Sequence, residues 1–187
     1  MHNVRYLVLW LLVSQPCQGH GFSGSGWLHP LTGLDHVLAM LAVGAWSAQV
    51  GGRSLYRVPG CFIALMFLGG VAGVNHNVLY RQTWELVVAL SVILLGLAIG
   101  INQRITEPVA ALGVGLFGLS HGLVHGLEME STQAPLAYLI GFLITTLGLH
   151  LIGAVGSLLL LETTNGRMHL RLMGWATALI GLWLIRQ

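Results

Sequence analysis

Long apolar runs separated by short polar connections set the pattern of this chain. Six runs follow one another: 27–49, 58–74, 84–101, 108–129, 135–161 and 170–185. Crossing a hydrocarbon core of about 30 Å takes about 20 apolar residues in helical form. The runs are near that length, and none alternates with period two, which argues against a β-barrel. The pattern therefore predicts an all-α integral membrane protein with six transmembrane helices. Pro108 and Pro135 stand near the heads of two runs, where a missing N–H costs nothing.

Ahead of these runs the first nineteen residues fall into three parts. Arg5 supplies a positive start, Tyr6 to Val13 is a short apolar stretch, and Ser14 to Gly19 is a small, polar exit. A stretch of that length cannot span a bilayer but suits a signal peptide. Residues 1–19 are expected to be removed, leaving His20 as the new N-terminus and 20–187 as one six-helix domain. An uncleaved anchor is the alternative.

Composition agrees with this class. Hydrophobic residues make up 55% of the chain, charged ones 7%, and mean hydropathy is +0.79. Soluble domains carry about 25% charged residues, so this chain cannot cover a water-facing surface. Disorder and a solvated enzyme are excluded. A net charge of +2 with scattered arginines gives no footprint for nucleic acid. No G-x-x-x-x-G-K-[ST] motif is present, so no nucleotide partner is expected. The two cysteines, Cys17 and Cys61, form no disulfide framework or paired metal knuckle.

Orientation follows from arginine placement. With the mature N-terminus outside, Arg53, Arg57, Arg104, Arg167 and Arg171 fall in cytoplasmic connections, against Arg81 and Arg186 outside. The expectation is a multi-pass protein of the inner (cytoplasmic) membrane with both termini on the periplasmic side. Gly118, Gly122 and Gly126, with the pairs Gly69/Gly73 and Gly96/Gly100, recur at helical spacing. Such stripes let helix backbones approach closely in lipid. A homo-oligomer stays open.

Ionisable residues within spans are costly and need partners or a function. The first run carries His29, Asp35 and His36, with the two histidines close to one helical face. Asp35 could accept from an imidazole N–H or bind a cation itself; capping a polar helix start is the alternative. The fourth run carries His121, His125 and Glu128 on one stripe. Two imidazoles one turn apart can grip one metal ion, and a carboxylate further along adds an oxygen ligand. The alternative there is a hydrogen-bonded polar seam. His150 lies deep in the fifth run, and Glu85 opens the third at its outer end. His20, once freed, adds an imidazole and an amine at the mouth. His76 is a loop residue, while His169, Glu107 and Glu162 read as solvated flanks. Imidazole plus carboxylate without thiolate suits a divalent first-row metal, with nickel, cobalt and zinc all compatible.

Two motifs carry a resemblance. His29-Pro-Leu-Thr-Gly-Leu-Asp35-His36 and His121-Gly-Leu-Val-His125-Gly-Leu-Glu128 resemble those of the HupE/UreJ family. Glu85 ahead of Ala89-Leu90-Ser91, and Tyr138 to Gly153, extend the likeness over essentially the whole chain. The resemblance implies a six-span nickel/cobalt permease associated with hydrogenase and urease maturation. It implies metal ligands at His29, Asp35, His36, His121, His125 and Glu128, with Glu85 and His150 as supporting candidates. The metal is then the transported substrate and no prosthetic group is expected. Two rival readings are an intramembrane zinc-dependent hydrolase and a metal-sensing subunit of a larger complex. The first needs an open coordination position on zinc; the second would bind metal without carrying it.

Overall fold

The computed structural model describes residues 26–74, 81–103, 105–129 and 134–186, with His29 and Arg81 described by backbone alone. The expected signal peptide, His20, His76 and Arg104 lie outside the described residues. Every regular element among the described residues is a helix. In chain order these are α1 (His29–Thr32), α2 (Leu34–Val50), α3 (Ser54–Val74), α4 (Arg81–Gly100), α5 (Glu107–Glu128), α6 (Pro135–Leu161) and α7 (Gly166–Leu184). Four segments, Ser54–Val74, Gln82–Gly100, Glu107–Glu128 and Pro135–Leu161, are long and apolar enough to cross a bilayer. They mark a multi-pass membrane protein. α2 is a shorter apolar helix of 17 residues. α7 opens on Arg167, His169 and Arg171, which dilutes its apolar character.

The run at 27–49, expected as one helix, is divided at Gly33. There the backbone turns extended, with φ −95° and ψ 118°. Pro30 in α1 contributes no N–H to a helical ladder. The chain restarts with Asp35 in the first turn of α2, where a carboxylate favours the exposed N–H groups and the positive end of the helix. A Cβ at Gly33 would press on the Asp35 carboxylate and the His36 ring. The other ends also move. α3 begins at Ser54 instead of Val58 because Gly51 and Gly52, both with positive φ, reverse the chain immediately before it. α7 begins at Gly166 instead of Leu170, and α4 at Arg81 instead of Trp84.

Helix pairing is governed by glycines. A Cβ at Gly118, Gly122 or Gly126 of α5 would land on the backbone of Phe62, Met66 or Gly70 of α3. These contacts advance together along both chains, so α3 and α5 run parallel with their backbones touching. Gly69 and Gly73 close the same seam from the α3 side, against Leu119 and Leu123. α4 and α7 meet the same way in the opposite sense: Gly96 lies on Gly174 and Ala178, and Gly100 against Trp175. α2 and α6 come together at Gly44, against His150, and at Gly153, against Leu41. Without side chains between them, helices gain dispersion contacts and small-residue packing in place of a hydrophobic drive.

One end of the bundle is tied by polar links. Trp46 Nε1 donates to the Gln103 carbonyl and Gln49 Nε2 to that of Ile99, both at 3.2 Å. Arg171 Nε donates to the Gly100 carbonyl at 2.9 Å, and Arg57 pairs with Glu107 at 2.6 Å. All these groups belong to helix ends on the arginine-bearing side.

Gly118→Ala should therefore wedge α3 from α5 and destabilise the protein by about 1–3 kcal/mol, the cost of overpacking. Gly113→Ala, with nothing within 4 Å of the added carbon, should be neutral or stabilising by up to about 1 kcal/mol. Thermal unfolding in detergent compares the two; equal midpoints would refute the seam.

Candidate metal centre

α5 places two residue types side by side. At 100° per residue the histidine stripe, His121 and His125, lies roughly 80° around the helix from the glycine stripe. Once the glycines are pressed on α3, the imidazoles have to project into the bundle. His121 is 0% and His125 1% exposed. His36 from α2 meets both: its ring centroid lies 5.2 Å from that of His121 and 4.5 Å from that of His125. Three imidazoles from two helices thus form one buried cluster, joined edge to face.

The ring nitrogens are assigned by their partners. His36 Nδ1 lies 2.8 Å from Asp35 Oδ1. His121 Nδ1 lies 2.8 Å from the Phe117 carbonyl oxygen. A carbonyl only accepts, so Nδ1 of His121 carries the proton; the carboxylate assigns His36 the same way. In the neutral form of each ring the lone pair is then left on Nε2. These Nε2 atoms are buried and without hydrogen-bond partners. An imidazole with one nitrogen held by a carboxylate or carbonyl and the other bare is the form that ligates metals. Asp35 also accepts from the His36 backbone N–H at 2.9 Å, which fixes the carboxylate between ring and helix start.

Around the cluster stand groups of mixed character. Phe142 of α6 stacks on His125 at 4.9 Å, and Tyr138 packs against Phe142 at 5.8 Å. Glu128, half-buried at the end of α5, and Glu85, exposed near the start of α4, both act electrostatically on His36. The two acids stand at the end of the bundle opposite Arg53, Arg57, Arg167 and Arg171. His29 belongs to α1, and only its backbone is described.

His150 is also buried, at 1% exposure, with both ring nitrogens lacking partners. It does not join the triad. Phe62 of α3 stands between them, 5.3 Å from His121 and 5.0 Å from His150. Phe62 had no signal in the sequence, being one aromatic in an apolar run. Among the described residues no three His, Cys, Asp or Glu side chains are already gathered as a ligand set. The imidazoles are neighbours whose lone pairs do not yet share a focus.

Comparison with known proteins decides the family. The family described as "HupE / UreJ protein" matches residues 8–184. The chain belongs to the HupE/UreJ family. It is 40% identical over 161 residues to "Protein HupE" of Rhizobium leguminosarum bv. viciae, covering 86% of this chain and 83% of that protein. No solved structure matches. The HupE/UreJ match includes every helix described above.

Replacing the carboxylate that orients His36 should weaken metal binding while the ligand rings remain. Asp35→Ala should lower equilibrium nickel affinity by about 10–100-fold, the usual cost of losing such a partner. Titration calorimetry on purified protein reads it, and unchanged affinity would deny Asp35 this role.

Proposed function

We propose that this HupE/UreJ protein is a secondary carrier that moves Ni2+ or Co2+ into the cytoplasm through an intramembrane His/Asp/Glu site. One observation carries the reading: His36, His121 and His125 form a buried cluster inside a bundle of membrane helices, with bare Nε2 lone pairs on His36 and His121. Burying such groups in hydrocarbon without a use is costly. The family's association with nickel and cobalt gives the cluster its substrate. Asp35, Glu85 and Glu128 draw the cation to the rim, and His29 and His20 complete the candidate ligand set. The binding step turns the edge-to-face rings toward a common point. The need to reorganise keeps the complex weak enough to release its ion, as conduction requires.

The topology we assign has six crossings with both termini outside, the broken first span included. Helix directions support it. α3 and α5, the second and fourth crossings, run parallel; α4 and α7, the third and sixth, run antiparallel. Strict alternation demands both. The arginine-bearing ends then face the cytoplasm and the histidine cluster lies in the outer half, in agreement with the positive-inside rule. Membrane potential suffices as the drive. A divalent ion moving inward gains about 4.6 kcal/mol per 100 mV, more than a thousandfold in concentration.

Expressed in a bacterium lacking its own nickel uptake, the wild type should accumulate radioactive nickel or cobalt. His36→Ala and His121→Ala should abolish accumulation at unchanged membrane levels, whereas His169→Ala should leave it intact. Full uptake by both cluster variants would remove the site. Absence of uptake by well-inserted wild type would return the choice to the hydrolase or sensor.

A further inference from the structure

Between the level of Phe142, which stacks on His125, and that of Phe62 and His150 lies a layer of a different chemistry. Thr146 Oγ1 of α6 sits 3.4 Å from Met40 Sδ of α2 and 3.7 Å from Met66 Sδ of α3. All three residues are fully buried. Three helices thus bring two thioethers and one hydroxyl to one place in the centre of the bundle.

The layer's position follows from helical register. Met40 stands one turn beyond His36 on α2 and shares its face. Thr146 stands one turn beyond Phe142, which stacks on His125, and one turn before His150. α3 runs opposite to α6, with Gly70 against Phe142 and Phe62 against His150, so Met66 stands level with Thr146, one turn from Phe62 on the side of Phe142. A cation moving from His36 and His125 toward His150 therefore meets the two sulfurs and the hydroxyl at the intervening level. His150, with both ring nitrogens bare and buried, is the next donor along the line.

We infer that Met40, Met66 and Thr146 form a second cation station, deeper than His36 and His125, that hands the ion to His150 and discriminates by softness. This rests on the reading of the chain as a metal carrier but adds a site with another preference. Thioether sulfur binds soft and borderline d-block cations and is a poor ligand for hard ones. An imidazole and carboxylate entrance admits a wide range of divalent ions. A thioether layer below it favours nickel and cobalt over manganese and magnesium, which keep oxygen ligands and hydration. Thr146 supplies an oxygen ligand on the side facing both sulfurs, and the unbranched methionines have the torsional freedom to close on an ion.

The decisive experiment uses the full-length protein in lipid nanodiscs, saturated with nickel alone and studied by nickel-edge X-ray absorption. The expected wild-type spectrum contains sulfur in the nickel shell. Met40→Leu/Met66→Leu, a near volume-conserving change, should lose that sulfur, retain nitrogen and oxygen scatterers, and take up nickel at least about tenfold more slowly, as for a lost metal partner. Its nickel uptake should also become more sensitive to competing manganese. Thr146→Val, which keeps the shape and deletes the hydroxyl, should shift uptake and competition the same way. A nickel shell of nitrogen and oxygen only in the wild type, with binding lost in His36→Ala, would overturn the deeper station and leave the entrance site standing. Wild-type selectivity in both variants would overturn it also, making the sulfurs packing alone. No nickel binding by the wild type would overturn the carrier reading and this station together.

Discussion

The backbone contact between α3 and α5 is the constraint from which the candidate site follows. Gly118, Gly122 and Gly126 leave no side chain between the two helices. That fixes the rotation of α5, and with it the direction of His121 and His125. A single Cβ in the seam would push the helices apart and turn both imidazoles away from His36. The same device recurs between α4 and α7 and between α2 and α6. The bundle is therefore assembled by close backbone approach, as expected where lipid removes the hydrophobic drive between helices.

Within this frame polar groups are either satisfied or held in reserve. Ser47, Ser91 and Ser120 bond carbonyls of their own helices. Asp35 is held by the His36 ring and backbone. Buried nitrogens without partners are therefore selective features of the interior, and among them are those of His36, His121 and, across Phe62, His150. An unsatisfied buried polar group costs about 1–3 kcal/mol, a cost that the ion of the proposed carrier would offset. The sulfurs of Met40 and Met66, gathered on Thr146, add a different chemistry to the same interior.

The break at Gly33 belongs to the same economy. It frees the first N–H groups of α2 near the mouth, sets Asp35 in its first turn and directs His36 toward α5. Discontinuous helices whose ends lie within the membrane often build ion sites, because their termini supply fixed partial charges. The acidic rim of Glu85 and Glu128 and the basic opposite end then give the molecule an electrical direction along the membrane normal.

The sequence by itself determined the membrane class and the residue types of the candidate site. Apolar run length, scarce charge and the spacings of His36, His121, His125 and Glu128 follow from the geometry of a helix in hydrocarbon, which is local and periodic. The glycine stripe is legible for the same reason. What only tertiary structure decided depends on which faces meet. Helix spacing cannot tell that Gly33 interrupts the first run, since one extended residue leaves the apolar pattern intact. Nor could it place Phe62 between His121 and His150, or bring Met40 and Met66 to Thr146. Each of those residues is ordinary within its own run, and its role exists only where α2, α3 and α6 converge.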